Sequence, residues 1–298
     1  MENAHADRHR IVIISPVRDE ELTLERTIAC VEAQTLLPVL WVLVDDGSTD
    51  RTPKILAEAA ARISWLRVVS RADRGFRKLG SGVVNSFNSG LETVDIEYDF
   101  LAKMDVDLEF SPGYLETLMA HFEKEPSLAA ASGKVFRLEA GRYVEEFMID
   151  EMVAGQFKLY RKENFEAIGG FVSEVMWDGI DFHTARIAGY RTVSLPDPEL
   201  RIVHLRLMGS SDKNVYQGRM RWGRGQWFMG SSFFYMVASG AFRTMEKPYL
   251  IGGMLMVLGY LQAAMQGAPR YEQPGFRKEL RRWQRQRLLG VFRGKGVR

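Results

Sequence analysis

Cysteine is nearly absent: Cys30 is the one such residue among 298. That excludes an intramolecular disulfide framework and a cysteine zinc cluster, and makes a reducing compartment the simpler expectation. Cys30 itself is expected to be a small buried apolar side chain. Glycine-rich phosphate loops are missing as well. No Gly-x-Gly-x-x-Gly follows the first apolar run and no Gly-Lys-Ser/Thr occurs, so neither a dinucleotide fingerprint nor a P-loop is supported. A bound nucleotide would have to be held by carboxylates, arginines and a metal. Long hydrophobic runs are lacking too. Trp227–Phe242 holds 16 residues without charge and Tyr249–Met265 is also uncharged, yet both fall short of the roughly 20 residues of a spanning helix. They are expected as a pair of buried helices covering a sheet, with helices lying in a membrane interface as the alternative. The first apolar run, Ile11–Ile14, is too short for a signal peptide and reads as a strand. There is no internal repeat and no low-complexity segment.

Apolar residues make up 46% and charged residues 26% of the chain, which is ordinary for a globular protein and excludes global disorder. The length suits one large or two small domains with a sizeable core. Charge is placed unevenly. From Arg270 to Arg298 ten Lys/Arg face two Glu, a local +8, so the other 269 residues carry −6 of the overall +2. An acidic body with a basic tail points to an anionic lipid surface or nucleic acid.

Along the chain, short β-branched runs alternate with amphipathic ones. Arg10–Ser15 reads as a fully buried strand ending in Pro16. A helix with acids in its first turn follows Asp19, with Leu22, Ile28 and Val31 able to face the sheet. Leu40–Val44 is a second strand, leading into Asp45-Asp46-Gly47-Ser48-Thr49-Asp50. Asp50 or Thr49 can cap the helix Arg51–Ile63. Leu66–Ser70 and Phe100–Met104 read as strands on either side of a helix Leu79–Leu91. Ser111-Pro112 opens a helix that Pro126 ends. Fourfold alternation is the signature of a doubly wound parallel sheet. In such sheets ligands bind beyond the carboxyl ends of the strands. Four charged loops lie there: Pro16–Glu20, Asp45–Asp50, Arg71–Lys78 and Asp105–Asp107.

The last of these carries the most chemistry. Residues two apart in extended backbone point the same way, so Asp105 and Asp107 can converge just past the strand. Two carboxylates held together repel, and a divalent cation removes the conflict while leaving open positions for phosphate oxygens. The implied cofactor is Mn²⁺ or Mg²⁺. Farther on, Arg219, Arg221 and Arg224 could close over a diphosphate.

These pieces together resemble the family 2 glycosyltransferases. The resemblance rests on Ser15-Pro-Val-Arg-Asp-Glu20, Val44-Asp-Asp-Gly-Ser-Thr-Asp50, Asn88-Ser-Gly90, Met104-Asp-Val-Asp107, Tyr160-Arg-Lys-Glu with Gly169-Gly-Phe171, and Trp177-Asp-Gly-Ile-Asp181 with Ala188-Gly-Tyr-Arg191. It covers about residues 10–210. It implies a GT-A type, doubly wound mixed sheet (residues 1–210, nucleotide-sugar-binding) and a mainly helical, basic C-terminal extension (211–298) for acceptor or membrane-surface contact. It further implies an inverting transfer of a sugar from a UDP or GDP donor to a hydroxyl in glycan or exopolysaccharide assembly. Pro16, Val17, Arg18, Glu20, Asp45, Asp46, Arg71, Lys78, Asp105 and Arg221 would surround the donor. Asp105, Asp107 and His204 would ligate the metal, His204 suiting Mn²⁺ better than Mg²⁺. The family usually writes Glu-Asp near the catalytic base, and this chain departs from that. Counting back from Gly189 without a gap favours Asp178; allowing a gap favours Asp181. Asp178 is the preferred base, and the other acid would cap the helix. Gln217-Gly-Arg-Met-Arg-Trp222 is one residue longer than a Gln-x-x-Arg-Trp of processive members, which argues against processivity. Phe276, Leu280, Trp283 and Leu288 approximate a helical stripe between arginines. The location expected is the cytoplasm, peripheral on the inner face of the membrane, with a glycan or lipid-linked acceptor and no nucleic acid. The rivals are a nucleotidyltransferase and a catalytically silent membrane-surface or nucleic-acid-binding protein.

Overall fold

The β-branched runs near the N-terminus become strands because each is buried on both faces. The computed structural model describes residues 9–73, 75, 80–139, 141–205, 215–244 and 249–292. It divides into two compact units, Met1–Ser173 with Ala188–Arg206, and Glu174–Ile187 with Leu207–Arg298.

In the first unit the alternation predicted from sequence is present: β1 (Ile11–Val17), α1 (Leu24–Glu32), β2 (Leu40–Asp45), α2 (Thr52–Arg62), β3 (Leu66–Ser70), α3 (Ser81–Leu91) and β4 (Phe100–Met104). Then come β5 (Leu108–Phe110), α4 (Tyr114–Lys124), β6 (Leu128–Gly133), β7 (Val135–Glu139), β8 (Arg142–Glu145), β9 (Phe157–Arg161), α5 (Lys162–Ala167), β10 (Arg191–Leu195) and β11 (Ile202–His204). A seven-stranded sheet runs β10-β6-β9-β4-β1-β2-β3, and a four-stranded sheet runs β5-β11-β7-β8. The large sheet is mixed. β9 lies antiparallel between β4 and β6, whereas β4, β1, β2 and β3 are mutually parallel. The carboxyl ends of those four strands therefore share one edge.

Packing explains the local details. Trp41 is fully buried and donates its indole N–H to Ser15 Oγ at 2.9 Å, the satisfaction a buried indole requires. Gly90 lets α3 lie on the sheet, since a Cβ there would stand 2.7 Å from both Ile14 Cγ2 and Val44 Cγ2. Several sequence expectations need correction. Leu22 is 86% exposed, because the chain is still in the turn before α1, and Leu24, Thr27, Ile28 and Val31 form the inward face. Ser111 does not cap α4; its hydroxyl donates to Glu199 O, and Gly113 occupies the cap. Cys30 is half-buried, and that burial raises its thiol pKa. Asp50 does serve the start of α2, accepting from Thr52 N at 2.9 Å.

The second unit is helical: α6 (Trp177–Ile187), α7 (Val215–Met229), α8 (Phe233–Arg243), α9 (Ile251–Met265) and α10 (Phe276–Phe292). The uncharged run 227–242 is not one helix. It breaks at Gly230, whose φ is +93°, a backbone region that favours glycine. Backbones meet closely along α9. A Cβ on Gly253 would lie 2.1 Å from Gly240 O in α8, and one on Gly259 2.1 Å from Met220 O in α7. Phe276 and Leu280 of α10 are buried, with Trp283 and Leu288 half-buried.

His183 of α6 is buried among Phe182, Phe276 and Trp283. Burial, with Arg186 adding, pulls its pKa down to about 3. Below its unfolded value of about 6.5 the unfolded chain takes up a proton that the folded chain refuses. Stability from this site is therefore intact above pH 6.5 and is lost as pH falls toward 3. Thermal melts followed by tryptophan fluorescence are expected to show an acid-sensitive second unit. His183→Phe is expected to flatten that dependence.

Candidate functional site

The loops at the carboxyl edge are tied together before any ligand is considered. Asp46 N donates to Val17 O at 2.9 Å and Arg71 N to Asp45 O at 2.8 Å, so the turns after β1, β2 and β3 form one platform. Asp45 closes its own turn by accepting from Ser48 N at 2.9 Å. That turn needs Gly47. Its φ is +80°, and a Cβ would lie 2.4 Å from Asp73 Cα. Two arginines crown the platform, Arg18 buried and Arg71 half-buried. Arg18 donates to Asp46 O at 2.5 Å and to Asp73 Oδ1 at 2.8 Å. Arg71 bridges Asp46 Oδ1 at 3.0 Å and Ser86 Oγ at 2.8 Å. An alternating chain Arg18–Asp46–Arg71 thus lines the end of β1 and β2, where planar guanidinium donors suit phosphate or a base.

Asp105 and Asp107 stand where the chain leaves the large sheet for the small one, between β4 and β5. Val106 between them turns into the core. The loop is fastened from below by Thr27, whose hydroxyl lies 2.8 Å from Val106 O and 2.9 Å from Leu108 O and accepts from Leu108 N at 3.1 Å. The register of β11 against β5 pairs His204 with Leu108, and Leu205 N donates to Asp107 O at 2.8 Å. This brings His204 to Asp107, 97 residues away, with Nε2 at 3.3 Å from Asp107 Oδ2. On the other ring nitrogen, Nδ1 lies 3.3 Å from Glu146 Oε1.

Charge decides what this cluster is. Burial alone would keep His204 neutral, but the hydrogen bonds to Asp107 and Glu146 outweigh it and raise the pKa to about 10. The imidazolium then donates to both carboxylates. Lys103, itself buried, gives its ammonium to Asp105 Oδ1 at 2.5 Å and Gly155 O at 2.7 Å. The Asp105 side chain is 34% exposed. Desolvation lifts its carboxyl above the usual range; Lys103 opposes this and Asp107 adds to it. Among the described contacts, Asp105, Asp107 and Glu146 face Lys103 and the His204 imidazolium. The donor chemistry, two carboxylates and an imidazole, fits Mn²⁺ and, through the carboxylates, Mg²⁺. Among the described residues no three His, Cys, Asp or Glu side chains already stand as a coordinating cluster. Asp105 is turned to Lys103 and His204 is shared with Glu146, so a cation would replace the positive charge that Lys103 and the extra proton on His204 now supply.

The other candidate residues divide by unit. Pro16 lies half-buried at the end of β1. Val17 packs its side chain into the core and offers the loop only its carbonyl. Glu20 is buried just ahead of the turn that leads into α1, with Thr23 donating to it at 3.3 Å and its own N–H donating to Thr52 Oγ1 at 2.8 Å. Lys78 lies outside the described residues. Arg221 belongs to the second unit, on α7, and Asp178 and Asp181 belong to it on α6. Asp178 is half-buried in the first turn, accepting from Gly179 N at 3.0 Å; Asp181 is fully buried, accepting from Phe182 N at 2.6 Å. Met176 just before them has φ +71°, a costly setting for a side-chain-bearing residue. Sequence reasoning missed Lys103, Glu146 and Thr27. Lys103 was findable, being two residues before Asp105 on the same strand face. Glu146 has no local signal.

Comparison with known proteins gives the family and the fold. The model of the family described as glycosyl transferase family 2 matches residues 12–175. An uncharacterized glycosyltransferase of Haemophilus influenzae is 26% identical over 120 residues, 40% of this chain and 35% of that protein. The chain thus spans about a third of the length of this curated relative. The mannosyltransferase PcManGT from Pyrobaculum calidifontis, solved with GDP-Man and Mn²⁺, aligns over 97% of this chain and 88% of its own with TM-score 0.55 and 16% identity. S. aureus TarS 1-349, solved with UDP-GlcNAc, aligns over 90% and 75% with TM-score 0.52 and 14% identity. At such identity these two structures speak for the fold, a mixed α/β sheet of GT-A type with a helical C-terminal region.

Two outcomes follow from the site as built. Gly47→Ala adds strain and a clash with the Asp73 backbone, and is expected to lower stability by about 2 kcal/mol, read as a shifted urea midpoint. His204 carries a raised pKa, so in metal-free protein its contribution is complete below about pH 6.5 and is lost as pH rises toward 10. Melts across that interval are expected to fall for the wild type and to stay flatter for His204→Gln.

Proposed function

Because this chain belongs to glycosyl transferase family 2, we propose that it is an inverting, divalent-metal-dependent glycosyltransferase that moves a sugar from a nucleotide diphosphate to an acceptor hydroxyl. The observation that carries this is that Arg18, Asp46, Arg71 and Asp105 follow the carboxyl ends of adjacent parallel strands, with Asp107 and His204 meeting at the seam with the small sheet. In this reading Arg18, Asp46 and Arg71 hold the base and ribose of a UDP or GDP donor, the two nucleotides seen with the structural neighbours. Asp105, Asp107 and His204 hold Mn²⁺ or Mg²⁺. When bound, that cation neutralises negative charge gathering on the departing diphosphate. Glu146 orients the His204 ring from behind, as outer partners of metal-binding histidines do.

Asp178 is the proposed base. It takes the proton from the acceptor hydroxyl as the oxygen bonds to the anomeric carbon. The bond from that carbon to the diphosphate breaks and its electron pair leaves with the nucleotide, so the configuration inverts. Asp178 suits the task better than Asp181 because it is half-exposed, whereas Asp181 is buried on its own helix backbone. The acceptor is proposed to be a glycan or a lipid-linked carrier in polysaccharide assembly, met at an anionic membrane surface.

A thermal-shift screen of UDP- and GDP-sugars with manganese tests the donor reading. A manganese-dependent rise in melting temperature is expected for one of them, with release of free UDP or GDP rather than pyrophosphate on turnover. Asp107→Ala is expected to abolish the manganese dependence of that shift. Glu146→Gln is expected to weaken Mn²⁺ binding about 10–100-fold, measured by electron paramagnetic resonance. Unchanged Mn²⁺ binding and turnover in Asp107→Ala would sink the proposal.

A further inference from the structure

Helix α9 is apolar all round, yet only half of it is covered. Gly252, Gly253, Met256, Gly259, Tyr260 and Ala263 are buried, toward α7 and α8, where the glycines allow close approach. The opposite half, at helical spacing, presents Met254, Leu258 and Met265, exposed by 61%, 51% and 82%. On α8, packed against α9, Phe234 is 78% exposed and Val237 also faces outward. Leu250, just before α9, is exposed as well and is held at φ +61°. A leucine in left-handed backbone is strained, and its side chain is exposed rather than buried. A surface helix of a soluble protein normally turns polar residues outward, and a contiguous exposed apolar face marks an interaction site.

The charge around this face selects the partner. Helices α7 to α10 together carry ten Arg/Lys and one acid, Glu279, while α9 carries no charge at all. On α10 the outward residues Lys278, Arg282 and Arg285 form a basic strip. A second copy of the same surface would bring like charge against like. A bilayer with anionic headgroups offers apolar depth and negative charge together. The helices have the length to lie on such a surface and not to cross it: among the described residues no helix is long and apolar enough to span a membrane.

We propose that the outward faces of α8 and α9, with Leu250, form a docking surface that inserts shallowly into an anionic lipid bilayer. The inference rests on the membrane half of the proposed function and names the side chains that make the contact. It presents the enzyme to an acceptor carried in the lipid rather than free in water.

Flotation of the full chain with vesicles tests it. Binding is expected to vesicles containing phosphatidylglycerol, with weak binding to pure phosphatidylcholine and loss in high salt. The triple variant Phe234→Ser, Met254→Ser, Leu258→Ser is expected to lower vesicle binding about tenfold or more, with unchanged helicity and unchanged manganese-dependent nucleotide-sugar binding. In a Cys30→Ser background, a polarity-sensitive dye on Met265→Cys is expected to shift to the blue when anionic vesicles are added. Wild-type protein that ignores both kinds of vesicle, or a triple variant that floats like the wild type, overturns the docking surface. So does a wild-type dimer in light scattering that the triple variant abolishes, because a second copy would then cover the face. Loss of nucleotide-sugar binding by wild-type protein is a separate result and would strike the transferase reading, leaving vesicle binding to be judged alone.

Discussion

Negative charge is concentrated at the seam between the two sheets, and the first unit is built to tolerate it. Asp105, Asp107 and Glu146 are drawn together by pairing of β5 with β11 and by the bend after β4. Left to themselves, such carboxylates would be protonated or pushed apart. Lys103 and the His204 imidazolium oppose this by donating to all three. In the proposed reading, a divalent cation would enter this arrangement by taking over the role of its resident cations. Thr27 and the Leu205 amide hold the backbone of the acidic loop in place, so the balance is shifted by exchange of partners and not by unfolding.

The proposed nucleotide end of the site follows the same logic with softer constraints. Arg18 and Arg71 are already paired with Asp46 and Asp73, so their donors are pre-oriented, which lowers the entropy lost on binding. Gly47 is the hinge of that order: it lets the loop after β2 lie against the Asp73 backbone. The second unit obeys a different rule. Glycines on α8 and α9 let helix backbones touch, and the apolar surface that this packing leaves over faces outward.

Much of the fold was legible in the sequence because parallel strands buried on both faces must be largely apolar runs, as β1, β2 and, apart from Lys103, β4 are. Asp105 and Asp107 could be read as a pair because their relation is local, two residues along extended backbone. The antiparallel β9 was not legible from alternation alone, since a strand's direction depends on its neighbours. Leu22 was misplaced because one residue of turn separates an inward from an outward leucine at the start of a helix. The break at Gly230 was hidden because an uncharged run looks the same whether or not a turn divides it.

What the sequence by itself determined was local: which runs must be buried, where they stop, and which carboxylates share a strand face. Backbone geometry ties these properties to spacing, so they survive without the rest of the chain. What only the tertiary structure decided was company. His204 meets Asp107 and Glu146, and Lys103 meets Asp105 and Gly155, through strand register and loop closure over many intervening residues. Whether α9 shows its apolar side to solvent was likewise decided by which half its neighbours covered. Electrostatic and apolar surroundings depend on distance in space, and distance in space is set by packing.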